Sequence, residues 1–131
     1  MSASLKHPTV EAVLAIHSEV LAAHGGSAGL RSRDLLESAV AAPQATMMGQ
    51  PLITDAFEIA AAYLFYLCGN PPFVDGNKRT ALATCLVFLS ENGLLPEESL
   101  DVDEWESLTL DAAGGKLSRD GVSARLRRLV K

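Results

Sequence analysis

A chain of 131 residues suits one domain with a single core, spanning 1–131. Its apolar fraction is 48%, yet no apolar run approaches the ~18 residues of a membrane span, and Met1 to Pro8 lacks the apolar core of a signal peptide. A formal net charge of −5 argues against direct nucleic-acid binding, which rests on a basic face. Cys68 and Cys85 sit in helical apolar patterns and read as small buried hydrophobes in a reducing compartment. Together with three scattered histidines they offer no zinc-ligand spacing. A cytoplasmic protein without a membrane segment is expected.

Thr9 caps a first helix running to about Ala23 and closed by His24-Gly25-Gly26. Val10, Val13, Leu14, His17, Val20 and Leu21 share one stripe, which turns His17 inward as a hydrogen-bonded core histidine. After a Gly25-to-Gly29 loop, Asp34 and Glu37 form a capping box for a short helix to about Ala42, stopped by Pro43. From Gln44 to Thr54 the chain is irregular. Thr46-Met47-Met48 and Ile53 flank Gly49-Gln50-Pro51, which fits a short hairpin, an open flap or a plain connector.

Asp55 and Glu58 make a second capping box for a helix from Ala56 to about Gly69 with almost no polar face. The next helix, from about Asn77 to Glu91, is equally apolar and ends at Asn92-Gly93. Both are expected to be buried all round. Asp101 and Glu104 open a helix to about Ala113 that turns Trp105, Leu108 and Leu110 inward. Ser118 starts the last helix, with Val122, Leu126, Leu129 and Val130 apolar, and with Arg125, Arg127, Arg128 and Lys131 as a solvated end. The fold class is all-α, about six helices.

Between the two central helices lies Pro71-Pro72-Phe73-Val74-Asp75-Gly76-Asn77-Lys78-Arg79-Thr80. A helix opening is a ready anion site, because its first N–H groups lack internal partners and the macrodipole places about half a positive charge there. Lys78 and Arg79 add mobile charge, Gly76 allows close backbone approach, and Asp75 suits a divalent cation. A nucleotide-phosphate cradle is the functional reading. The bland alternative has Asp75 and Asn77 capping the helix and Lys78 and Arg79 as solvated charges.

Phe73 to Thr80 resembles the signature of the Fic/Doc superfamily, His-x-Phe-x-Asp/Glu-Gly/Ala-Asn-Gly/Lys-Arg. The Lys after the Asn, followed by Arg79-Thr80-Ala81-Leu82, resembles the Doc (death-on-curing) toxin form. His17, Gly25-Gly26, the run from Leu35 to Ala39, Ala42-Pro43-Gln44 and Asn92-Gly93 are also similar to that family. The resemblance implies an all-helical domain with the motif loop between two core helices, and a use of ATP and Mg²⁺ to modify a hydroxyl of another protein. Doc toxins transfer the terminal phosphate to elongation factor Tu and stop translation; most other members transfer AMP. AMP-transferring members have Gly where this chain has Lys78, and a second Arg where it has Leu82, which removes a bidentate phosphate clamp. The phosphotransferase form is therefore expected.

By position, Asp75 would hold Mg²⁺, and Asn77 would bind phosphate or orient the metal. The N–H groups around Gly76 would form the anion hollow, and Lys78 and Arg79 would neutralise the transferred phosphoryl. Phe73 would pin the loop into the core, and Thr46 to Ile53 would be the flap that aligns a target segment by strand-like pairing. A Phd-like antitoxin whose disordered tail folds on binding is the implied partner, with Ala12 to Leu21 supplying part of its groove. The inhibitory motif of many AMP-transferring relatives is absent, since Val87 stands four residues before Glu91-Asn92.

One departure matters. The family's catalytic His lies two residues before the Phe, and that position is Pro71. A pyrrolidine cannot take the proton of a target hydroxyl, and general-base catalysis is typically worth about 10²–10⁴-fold. Nothing nearby replaces the base: Tyr66 and Asp75 are the nearest candidates, Asp75 is committed to the metal, and none of His7, His17 and His24 is placed near the loop by sequence. The readings are a toxin-type enzyme impaired at position 71, a natural pseudoenzyme that binds nucleotide or antitoxin, and an AMP transferase.

Overall fold

The computed structural model describes residues 5–95 and 101–130. Six helices run in chain order: α1 (Val10–His24), α2 (Arg33–Ala41), α3 (Ala56–Gly69), α4 (Asn77–Glu91), α5 (Val102–Ala113) and α6 (Arg119–Val130). Among the described residues the only sheet is a two-residue hairpin, β1 (Thr46–Met47) with β2 (Gln50–Pro51), in which Thr46 faces Pro51 and Met47 faces Gln50. The all-α expectation holds. Met48 at φ 52° and Gly49 at φ 79° form its turn, the positive-φ pair that matches the twist of a tight hairpin. No described helix is long and apolar enough to cross a membrane.

α3 is the axis of the fold. Ile59, Ala60, Ala61, Ala62, Tyr63 and Leu64 are consecutive and all buried, and at about 100° per residue six in a row cover the whole circumference. The three alanines let neighbours approach closely, and α2, α4, α5 and α6 all pack on α3. Asp55 begins the helix as expected, its Oδ1 accepting from the N–H groups of Phe57 and Glu58. Trp105 and Leu108 of α5, Val122 and Leu126 of α6, and Phe88 and Leu89 of α4 complete the core.

Several expectations change. α4 is not buried all round: Thr80, Ala81, Thr84, Cys85, Phe88 and Leu89 face inward, while Lys78, Arg79 and Val87 are exposed. α2 is capped by Ser32, whose Oγ accepts from the Leu35 N–H, and not by Asp34, which lies in the first turn. Leu110 points outward, 57% exposed, because α5 turns Trp105, Leu108, Thr109 and Ala112 to the core. The basic end of α6 is not simply solvated. Arg127 pairs with Asp55 at 2.6 Å and lies over the Phe57 ring, and Arg125 pairs with Asp111 at 2.6 Å. Lys131 lies outside the described residues.

α4 is fastened at both ends by an asparagine amide. Asn92 Oδ1 accepts from the Lys6 N–H at 2.8 Å while its Nδ2 donates to the Lys6 and Phe88 carbonyls. Asn77 Oδ1 accepts from the Phe73 N–H at 2.9 Å and its Nδ2 donates to the Phe73 carbonyl at 3.0 Å. The first bracket ties down the N-terminal segment. The second shapes the loop that carries the site.

Candidate functional site

The 71–76 loop is seated on the 25–32 loop by backbone bonds. The N–H groups of Arg31 and Ser32 both donate to the Pro72 carbonyl, at 2.7 and 3.0 Å, and the Val74 N–H donates to Gly29 at 3.0 Å. Leu30 and Phe73 form a single antiparallel bridge. The Arg31 guanidinium donates to the Pro71 carbonyl. Phe73, 2% exposed, plugs the loop into the core, as its place in the motif suggested.

At the end of this loop Gly76 takes φ 78°, ψ 15°, the left-handed conformation that glycine adopts at little cost, and α4 begins. α4 has no side-chain N-cap and no acidic residue in its first turn, unlike α1, α2, α3 and α5, each of which is capped by a side chain. The Thr80 N–H is the first to find an intrahelical partner, the Gly76 carbonyl at 3.0 Å. The N–H groups of Asn77, Lys78 and Arg79 therefore remain for an external acceptor. With two exposed cations beside them, this helix end is built for an anion.

Asp75 is exposed and ordered. Its Oδ2 accepts from the Ser27 N–H at 3.0 Å and its Oδ1 from the Gly76 N–H at 2.8 Å. Those two amides, the Ser27 amide first, and after them the nearby Arg79, hold its carboxyl below the ordinary carboxylate range. The Gly76 N–H is thus directed at the carboxylate, which leaves only the amides that follow it, those of Asn77 to Arg79, free for an anion. Each Asp75 oxygen keeps a free lone pair for a cation. No cluster of three His, Cys, Asp or Glu suited to a metal exists among the described residues.

A cavity of about 620 Å³ opens in front of this helix end. Asp75, Gly76, Asn77, Lys78 and Arg79 line it, and Val20, Leu82, Leu86 and Leu110 give it an apolar wall. The structure thus brings the five motif residues onto one cavity. Pro71 is not on the wall, and Asn77 lines the cavity with both atoms of its side-chain amide engaged by the Phe73 peptide. Tyr66 is directed elsewhere, its hydroxyl meeting Arg119 Nη1 at 3.2 Å.

The histidines are where sequence fell short. His17, 58 residues from Asp75 in sequence, lies under the loop, with Nε2 at 2.8 Å from the Asp75 carbonyl and its ring stacked on Phe73 at 3.7 Å. It is a hydrogen-bonded core histidine as expected, but its partner is the site itself. His24 lines the cavity. His7 is remote, its Nδ1 at 2.6 Å from the Tyr63 hydroxyl, and burial lowers its pKa.

Comparison with known proteins places the chain among relatives. The chain is 35% identical over 125 residues to "Protein kinase doc" of Escherichia phage P1, covering 95% of this chain and 96% of the relative. It is 40% identical over 104 residues to "Toxin Doc" of Mycolicibacterium smegmatis (strain ATCC 700084 / mc(2)155), covering 79% and 80%. The family profile described as Fic/DOC family matches residues 7–89, a span that runs from the N-terminal segment through the motif loop to the end of α4. With the seated loop, the uncapped helix and this coverage in hand, the chain belongs to the Fic/Doc family.

Proposed function

We propose that this protein is a Doc-type toxin whose loop and α4 take the phosphates of ATP with Mg²⁺, and that it is paired with a Phd-like antitoxin. The observation that carries the reading is the uncapped start of α4, flanked by Asp75, Lys78 and Arg79, on a cavity of about 620 Å³. That volume lies in the ~300–1,000 Å³ range of small-molecule sites. ATP bound there would supply the phosphoryl group for a protein hydroxyl such as that of elongation factor Tu. The amides of Asn77 to Arg79 and the side chains of Lys78 and Arg79 neutralise phosphate charge, and Asp75 holds the cation that accompanies it. Leu82, on the apolar wall, leaves the hollow without a second guanidinium, which favours phosphate over AMP transfer.

Pro71 leaves the site without a base at the position from which the family removes the target proton. As it stands the chain holds nucleotide and antitoxin with little or no chemistry. This second reading, a binding module, is favoured by Pro71 alone. The deciding experiment is Pro71→His, expressed in a bacterial host and assayed in vitro with purified elongation factor Tu. Growth arrest and label from γ-³²P-ATP are expected. Label from α-³²P-ATP would establish AMP transfer instead, and harmless expression without label would sink the enzyme reading.

A further inference from the structure

Asp75 acts from a loop that has no regular structure of its own, so something must fix its carboxylate. We infer that His17 and Gly26 are positioning residues for Asp75, setting where the cation-holding side chain stands; this rests on the Mg-nucleotide reading above.

His17 grips the loop at two points. Its ring lies on Phe73 with centroids 3.7 Å apart and planes 5° from parallel, which fixes the loop before Asp75. Its Nε2 meets the Asp75 carbonyl at 2.8 Å, which fixes the peptide that follows. A carbonyl oxygen only accepts, so Nε2 carries the proton and the tautomer is set. This nitrogen therefore donates to the backbone and is not a base for a target hydroxyl. Buried at 6% exposure in the middle of α1, His17 makes the helix a fixed post for the loop.

Gly26 acts from the other side. A Cβ on it would stand 2.7 Å from Asp75 Oδ2 and 3.0 Å from Leu21 Cδ2, and its φ of 125° is one that L side chains rarely adopt. Only glycine lets the next amide, Ser27 N–H, come within 3.0 Å of Oδ2. The carboxylate is thus pinned through Oδ2 by the glycine loop and through Oδ1 by Gly76. Its backbone is pinned by His17. A carboxylate held in this way meets a cation without reorganising, which is what a site for a phosphate-borne ion needs.

The test compares affinity for ATP in Mg²⁺ with affinity in EDTA, by isothermal titration, for the unaltered chain, His17→Phe, His17→Gln and Gly26→Ala. Lys78, Arg79 and the α4 amides attract ATP in both conditions, whereas Asp75 attracts it only through the cation and without one weakly repels the phosphates. His17→Phe keeps an aromatic ring on Phe73 and loses the donor; His17→Gln keeps a donor. We expect His17→Phe and Gly26→Ala to cut the Mg²⁺ enhancement about tenfold, the scale of one charge-assisted contact, with affinity in EDTA within about twofold. His17→Gln should retain most of the enhancement. An unchanged enhancement in both variants, or an equal loss in EDTA, would overturn the inference.

Amide hydrogen exchange gives a readout independent of nucleotide. Protection of Ser27 and Gly76 should fall at least about tenfold in His17→Phe and Gly26→Ala and persist in His17→Gln. Unchanged protection refutes the positioning role whatever ATP does. Lost protection in a chain that never binds ATP refutes the nucleotide reading and leaves the positioning role standing.

Discussion

Replacing Asn77 by Ala should damage the fold as well as the site. Its amide makes two bonds to one residue, Phe73 N–H at 2.9 Å and Phe73 C=O at 3.0 Å, and Phe73 is 2% exposed. Truncation strands a donor and an acceptor of Phe73, each costing about 1–3 kcal/mol, and because Asn77 is half-buried water reaches the vacated space and holds the sum to its lower part, about 2–4 kcal/mol. For a domain of this size that corresponds to a fall in Tm of about 6–15 °C. Asn77→Asp keeps the acceptor but turns a carboxylate oxygen on the Phe73 carbonyl, so the favourable charge at the helix N-terminus recovers only part of the loss and the variant should fall between Asn77→Ala and the parent. Lys78→Ala and Arg79→Ala serve as controls. Both residues are exposed and have no ion-pair partner among the described residues, so each should move stability by less than about 0.5 kcal/mol. Differential scanning calorimetry and urea unfolding measure all four. If Asn77→Ala melts within about 2 °C of the parent, the bracket does not hold the loop and the reasoning fails.

Acid should unfold the protein through Asp55 as well as Asp75. Burial pushes Asp55 up, but the hydrogen bond from Arg127 and those from the Glu58 and Phe57 amides outweigh it, so its pKa falls below the ordinary 3.8. A lowered folded-state pKa gives stability above the ordinary value that is lost as pH drops through 3.8 and on below it. Asp55→Asn keeps a capping oxygen without the charge, so its deficit in urea unfolding at pH 7 should shrink at pH 3; a deficit independent of pH would contradict this. The thiols should be inert. Burial pushes Cys68 up to about 11 and Cys85 higher still, so iodoacetamide at pH 8 should label neither in the native protein and both in denaturant.

What was legible in the sequence is what is local. Thr9, Asp55 and Asp101 announced their helices because an N-cap needs only the next three residues. The motif from Phe73 to Arg79 was legible because its parts act within one turn. The choice of Ser32 over Asp34 was not. Ser32 is held extended, at φ −152° and ψ 113°, by the pairing of its loop with Pro72, a contact from another part of the chain. Leu110 reads as core because it is apolar and lies on a helix, whereas in the fold it walls a cavity. Arg127 reads as solvated because its partner, Asp55, starts a helix far away in sequence. His17 was legible as buried from its stripe on α1, but its place against Phe73 and Asp75 exists only once α1 crosses α4. The double bracket of Asn77 on Phe73 was missed for a simpler reason: an asparagine at a helix start reads as a cap or a ligand.

The seat of the motif loop also bears on how position 71 can change over time. At Pro71 and Pro72 the neighbouring loop uses only carbonyl oxygens, with Arg31 and Ser32 as the donors. Proline lacks an N–H and keeps its C=O, so it fills both places without orphaning a bond. The bonds that seat the loop therefore do not depend on which side chain stands at 71. A lineage can exchange a reactive residue there for an inert one, and back again, while every neighbour keeps its partner. The seat of the loop can thus outlast a change at 71, whatever chemistry the new side chain brings.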